Sequence, residues 1–210
     1  MNYRFITVEG NIGAGKTTLS SLLSKHYHAR LVLEAFADNP FLPSFYKNPE
    51  QYAFPLELFF MAERYKQWKE VLQAPDMFHQ ITISDYLFTK SLLFARVNLK
   101  DDEYKLYQRL FDIINPQILQ PEILIFLNAP IKKLQENIRK RNRGYELSIS
   151  DEYLQSIQDI YTEYLKQHSV KTLMVDTSNA DFLNNTEHFQ VITNALEHEY
   201  EPGVHYLTLP

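Results

Sequence analysis

Three of the chain's five glycines stand within six residues, in the run Gly10-Asn11-Ile12-Gly13-Ala14-Gly15-Lys16-Thr17. The run matches the spacing G-x-x-x-x-G-K-[ST], whose chemistry is the cradling of phosphate. Glycine lets a backbone turn its amides inward with no side chain in the way. Those amides and the start of the following helix form an anion pocket. Within this motif Gly10, Asn11, Ile12, Gly13, Ala14, Gly15, Lys16, Thr17 and Thr18 are the candidate residues for binding a nucleotide. Lys16 would reach the β- and γ-phosphates, and the Thr17 hydroxyl would ligate Mg²⁺. The flanks have the required form. Tyr3 to Val8 is β-branched and aromatic, as in a strand, and Leu19, Leu22, Leu23 and Tyr27 share one helical face. A strand, a glycine turn and a helix in this order restrict the chain to an open α/β architecture.

The rest of the chain repeats that alternation. Strands are expected at Leu31–Leu33, Ile81–Ser84, Ile123–Leu127 and Thr172–Asp176, with helical patterns between them. Ile123-Leu124-Ile125-Phe126-Leu127 is five large apolar residues in a row, the mark of a strand buried on both faces. The expected fold is a five-stranded parallel sheet flanked by helices, as one domain over residues 1–210, with the tail from Pro202 to Pro210 unassigned. A long helix is expected from about Gln51 to Gln73, with Pro55 in its first turn or kinking it.

Composition narrows the function. The chain has no cysteine, which excludes disulfides and thiolate metal sites. A formal net charge of −5 argues against a nucleic-acid binder. Positive charge is nevertheless concentrated: Lys132, Lys133, Arg139, Lys140, Arg141 and Arg143 are accompanied by one acid, Glu136. The segment of about 139–147, broken by Gly144, would form a basic lid over a polyphosphate. With no visible signal peptide and no apolar run of about 20 residues, a cytoplasmic protein without membrane contact is expected.

Ligands bind beyond the carboxyl ends of the strands in such sheets. Glu34 follows the second strand and Asp85 the third, so both acids belong to the edge that carries the glycine turn. An acid at the tip of a buried strand requires a partner or a task. Phosphoryl transfer supplies tasks for both: a carboxylate orients an acceptor hydroxyl and takes its proton, and cations neutralise the moving phosphoryl group.

Beyond the glycine turn, an ordered set of segments resembles the deoxynucleoside kinases of the thymidine kinase 2-like and bacterial deoxyadenosine/deoxyguanosine kinase group. The set comprises Glu9 to Thr18, Glu34, Asn39-Pro40-Phe41-Leu42, Phe45 to Pro49, Tyr52 to Leu56, Ser84-Asp85, and Arg139 to Arg143 with Tyr145-Glu146. The resemblance covers roughly residues 3–170 and implies a P-loop kinase fold using ATP and Mg²⁺ to phosphorylate the 5′-hydroxyl of a deoxynucleoside. It implies Glu34 as general base and Lys16, Arg139, Arg141 and Arg143 as cations at the transferred phosphate. Asp85 and Thr17 become metal-organising residues, Tyr46 and Glu146 contacts for the deoxyribose 3′-hydroxyl, and Arg64 a residue of the base pocket. It also implies a homodimer formed through two helices.

At two positions the chain departs from the family. Glu57 stands where the family carries glutamine. A carboxylate only accepts hydrogen bonds and would favour guanine, with its two adjacent N–H donors; alternatively, Glu57 pairs with Arg64. Tyr86 stands where the family carries an arginine that steadies the base carboxylate. Either another cation fills that role or the acceptor is held differently. A nucleoside monophosphate kinase, or a nucleotide-binding regulatory module with little turnover, are the alternative readings.

Overall fold

The computed structural model of the chain describes residues 2–35, 39–73 and 78–210. The chain runs β1 (Phe5–Gly10), α1 (Lys16–Tyr27), β2 (Arg30–Val32), α2 (Leu42–Phe45), α3 (Pro49–Gln73), β3 (Thr82–Ser84), α4 (Lys90–Asn98) and α5 (Asp101–Ile114). It continues through β4 (Ile123–Asn128), α6 (Ile131–Arg141), α7 (Asp151–Gln167), β5 (Lys171–Asp176), α8 (Thr186–Ala195) and β6 (Gly203–Thr208). The strands form one sheet in the order β2-β3-β1-β4-β5-β6, with every neighbouring pair parallel.

Among the described residues the sheet has six strands where the sequence pattern predicts five. The additional strand, β6, is built from the tail left unassigned, and it pairs with β5 from Lys171↔Gly203 to Asp176↔Thr208. It is an edge strand with Tyr206 largely exposed, so it lacks the continuous apolar run that marks β4. α2 is likewise an unpredicted helix, a single turn that buries Leu42 and Phe45. Pro55 lies inside α3, past its first turn.

Alternation along the central strands assigns the two faces. Ile123, Ile125 and Leu127 of β4 join Leu19 and Leu23 of α1, Leu134 and Ile138 of α6, and Ile192 of α8 in one core. Leu124 and Phe126 face the other way, against Leu93 and Phe94 of α4 and Ile157, Tyr161 and Leu165 of α7. A third cluster packs Phe5 and Val32 against Met61 and Trp68 of α3 and Tyr107 and Phe111 of α5. None of the five β4 side chains from Ile123 to Leu127 is more than 2% exposed. Burying five such side chains contributes on the order of 10 kcal/mol.

Candidate active site

The glycine turn joins β1 to α1 and is held from three directions. The carboxylate of Glu9, fully buried, accepts from the backbone N–H of Gly10 at 3.0 Å and of Leu87 at 2.8 Å. The side chain of Asn11 donates to the carbonyl of Leu154 at 2.8 Å, anchoring the turn to α7. Asn137 of α6 donates to the carbonyl of Gly13 at 2.9 Å. Two glycines are demanded by space as well as by conformation. A Cβ on Gly10 (φ +151°) would stand 2.7 Å from the carbonyl oxygen of Leu127, and one on Gly13 (φ +81°) 2.8 Å from that of Leu134. The ammonium of Lys16 lies back on the turn, donating to the carbonyls of Gly10 and Asn11 at 2.9 Å each. Burial and the nearby charge of Lys90 lower its pKa to about 8.

Asp85 connects this turn to the end of β2. Its Oδ2 accepts the Thr17 hydroxyl at 2.6 Å, and its Oδ1 accepts the backbone N–H of Glu34 at 2.7 Å. One carboxylate thus sets both the hydroxyl that opens α1 and the backbone that presents Glu34.

Glu34 is held by two cations. Nε and Nη2 of Arg64 donate to Oε1 at 2.9 and 2.5 Å, and Nζ of Lys90 donates to Oε2 at 2.7 Å. Burial alone would push this carboxyl up. The charges and hydrogen bonds of Lys90 and Arg64 outweigh burial and hold it well below the usual carboxylate range. Lys90 is the residue that sequence reasoning missed. It answers the question raised at Tyr86: the missing cation comes from the first turn of α4, five residues after Asp85, and Arg64 supplies a second. The available signal was a lysine opening the helix that follows a strand-end acid.

Tyr86, expected at the substrate, is placed elsewhere. It is fully buried, its hydroxyl donates to Gln67 at 2.8 Å, and its ring packs against Trp68. It lines neither cavity of the site. Arg139 is exposed on α6 and also lines neither. Among the described residues the alternative pairing of Glu57 with Arg64 is not formed: Arg64 is engaged by Glu34 and Ser91, and Glu57 accepts from Asn98 of α4 at 2.6 Å.

The remaining candidates line two cavities that share a wall. The inner one contains Glu34, Tyr46, Glu57, Arg64, Asp85 and Glu146, with the rings of Phe60 and Phe94. The outer one runs over Gly13, Ala14, Gly15 and Thr18, under Lys133, Asn137 and Lys140 of α6, and along Thr177 to Leu183 after β5. Lys16, Thr17, Arg141 and Arg143 line both. Gly10, Asn11 and Ile12 form the base of the turn, and of these Ile12 faces the inner cavity. Arg141 and Arg143 are drawn to the buried Glu146, with contacts of 2.5 and 3.3 Å. Tyr46 stacks on Tyr145 at 6.3 Å beside them. The arrangement brings an anion cradle, a hydroxyl–carboxylate pair and an ionised acid to the walls of two adjoining cavities.

The oxygen pair of Thr17 and Asp85 suits Mg²⁺, which takes hard oxygen ligands from one or two side chains and completes its shell with phosphates and water. Among the described residues no cluster of three or more His, Asp or Glu side chains forms a separate metal cage.

Comparison with known proteins gives the family. The family model described as deoxynucleoside kinase matches residues 6–200. A deoxyguanosine kinase of Bacillus subtilis (strain 168) is 33% identical over 193 residues, covering 90% of this chain and 93% of its own. A deoxyadenosine kinase of Dictyostelium discoideum is 32% identical over 189 residues, covering 89% of this chain and 77% of its own. Among solved structures, the deoxyadenosine kinase from M. mycoides with bound dATP superimposes with a TM-score of 0.78 at 25% identity, covering 92% of this chain and 100% of that one. With nearly its whole length matched by the family and by these relatives, the chain belongs to the deoxynucleoside kinases, phosphotransferases that phosphorylate nucleosides.

Proposed function

We propose that the chain acts as a single domain and transfers the γ-phosphoryl group of ATP to the 5′-hydroxyl of a purine deoxynucleoside. The observation that carries this reading is the wall shared by the two cavities, where Lys16, Thr17, Arg141 and Arg143 face both an anion cradle and a pocket containing an ionised acid. ATP occupies the outer cavity with its phosphates on the glycine turn. The nucleoside occupies the inner one, its base beside Glu57, Phe60 and Phe94 and its 3′-hydroxyl at Tyr46 and Glu146. Glu34 aligns the 5′-hydroxyl and accepts its proton. Arg64 and Lys90 keep that carboxylate ionised and aimed. Lys16, Arg141 and Arg143 neutralise charge on the transferred group, and the lid excludes water as a competing acceptor. Thr17 and Asp85 would hold Mg²⁺, which would supply further charge neutralisation. Two relatives named for deoxyguanosine and deoxyadenosine support a purine acceptor.

A homodimer and a cytoplasmic location belong to the same proposal. Among the described residues no helix is long and apolar enough to cross a membrane. Light scattering on the purified chain checks the dimer.

The test is transfer from γ-labelled ATP to each deoxynucleoside and, in parallel, to each monophosphate. Label is expected in purine 5′-monophosphates. Glu34→Gln is expected to lower kcat by about 100- to 10,000-fold, the usual contribution of a positioned base. Label passing to monophosphates instead would overturn the acceptor assignment. Transfer that survives Glu34→Gln would overturn the base.

A further inference from the structure

Glu57 stands on α3 with 1% of its surface exposed. Its Oε1 accepts from Asn98 at 2.6 Å, while Oε2, equally buried, has no hydrogen-bond partner among the described residues. The side chain forms part of the inner cavity wall. Leaving a buried acceptor unpaired is costly, so an orphan oxygen on a binding wall is best explained by what enters the cavity.

The groups around it come from every neighbouring element. Arg64, also on α3, is committed to Glu34 and Ser91. Lys90 and Asn98 face it from α4, Glu34 from the end of β2 and Tyr46 from the end of α2. Tyr107 of α5 donates to the Glu57 backbone carbonyl at 3.2 Å, and Tyr153 faces the carboxylate from α7. Arg141 and Glu146 of the lid close the same cavity. Among the described residues the ion pairs to Arg64 and Lys90 are both made by Glu34, and neither cation is bonded to Glu57. Burial outweighs the attraction of Arg64 and the Asn98 hydrogen bond, pushing the carboxyl up to about 7. Both protonation states are therefore available near neutrality.

The pairing edges of the two purines are complementary to these two states. Guanine presents N1–H and a 2-amino N–H, two donors side by side. Adenine presents the N1 acceptor beside a 6-amino donor. We propose that Glu57 is the purine selector of the acceptor site: its carboxylate accepts both guanine donors, whereas its neutral acid donates from Oε2 to adenine N1 and accepts from the 6-amino group at Oε1. One proton exchanges one base for the other, and this rests on the nucleoside-acceptor reading above. Asn98 keeps Oε1 in place for both states. Deoxyinosine keeps N1–H but lacks the 2-amino group, so it follows deoxyguanosine in pH dependence with turnover lower by about tenfold or more.

The experiment is competition between deoxyguanosine and deoxyadenosine in one reaction with labelled ATP, from about pH 5.5 to about pH 8.5, which brackets the titration of the selecting carboxyl. Competition cancels every ionisation that affects both substrates alike. The ratio of the two kcat/KM values, guanine over adenine, is expected to rise by about tenfold per pH unit. Glu57→Gln should remove that slope, because an amide donates to N1 and accepts from the 6-amino group at every pH in the range. Should the variant fail to fold, calorimetry of the unmodified protein near neutral pH in two buffers of different ionisation enthalpy reads the same proton: uptake with deoxyadenosine and release with deoxyguanosine. Phosphorylation of both nucleosides at a pH-invariant ratio, or binding of both without proton exchange, overturns the selector role and leaves the kinase reading intact. Phosphorylation of neither nucleoside overturns the acceptor reading, and the selector with it.

Discussion

Replacing Asp85 by asparagine and by alanine separates its structural work from its charge. Asp85 accepts two hydrogen bonds, from the Thr17 hydroxyl at 2.6 Å and from the Glu34 backbone at 2.7 Å. Asparagine can keep both. Its carbonyl accepts the Glu34 N–H, and its amide donates to the Thr17 hydroxyl, which reverses its role at no steric cost. The loss in stability is expected to stay below about 1 kcal/mol, the difference between a charged and a neutral hydrogen bond. Alanine keeps neither. The Glu34 N–H then loses its partner, at about 1–3 kcal/mol, and the loss of two charge-assisted bonds brings the expected total to about 3 kcal/mol. For a chain of this size that lowers the thermal midpoint by roughly 6–12 °C, against less than about 4 °C for asparagine. Activity divides differently. Both variants lose the carboxylate charge, so both should need about 10- to 100-fold more Mg²⁺ for half-maximal transfer. Differential scanning fluorimetry and a Mg²⁺ titration of the transfer rate measure the two quantities separately. If the asparagine variant keeps the parent's Mg²⁺ dependence, the metal-organising role is wrong. If it melts as low as the alanine variant, the hydrogen-bond account is wrong.

Other substitutions test other parts of the site. Glu57→Gln should stabilise the fold at neutral and higher pH. The folded carboxyl titrates near 7, above its unfolded value, so the parent's relative stability is complete below about pH 4 and is lost as pH rises through 7. The variant's advantage should grow to about 3 kcal/mol over that window in urea denaturation, and equal stabilities at pH 8 would refute it. Gly13→Ala places a Cβ 2.8 Å from the Leu134 carbonyl at φ +81°, so it should destabilise by about 1–3 kcal/mol and abolish ATP binding in calorimetry. Arg141→Ala removes a partner of the buried Glu146 and should lower kcat about tenfold or more, whereas Arg139→Ala, on the exposed face of α6, should change it less than about twofold. Equal effects of the two arginines would undo the placement of the lid.

Much of the fold was legible because each signal was local. The glycine run, its flanking strand and helix, and the five-residue apolar core of β4 all declare themselves within a short window. β6 did not, because an edge strand is covered on fewer sides: Val204 and Leu207 pack inward while Tyr206 and Thr208 stay open. Glu34 and Asp85 were found from their positions after strands. Lys90 was not, since its pairing with Glu34 spans 56 residues and depends on how α4 leaves β3. Tyr86 misled for the same reason: the residue beside a strand-end acid points to the opposite side, and here that side is the aromatic core beneath α3. The alternative pairing of Glu57 with Arg64 followed from their spacing, but Arg64 has an ionised partner in Glu34 and Glu57 a neutral one in Asn98.

The grip of Arg64 and Lys90 on Glu34 limits what that side chain can do. A carboxylate so strongly compensated has little appetite for a proton and cannot strip an alcohol at the outset. In the proposed transfer it would take the proton only once the bond to phosphorus is largely made and the oxygen has become acidic. Rates should then be nearly indifferent to solvent deuterium, and acceptors with more acidic hydroxyls should gain almost no speed. In the proposed role Glu34 aims the incoming oxygen first and takes its hydrogen last.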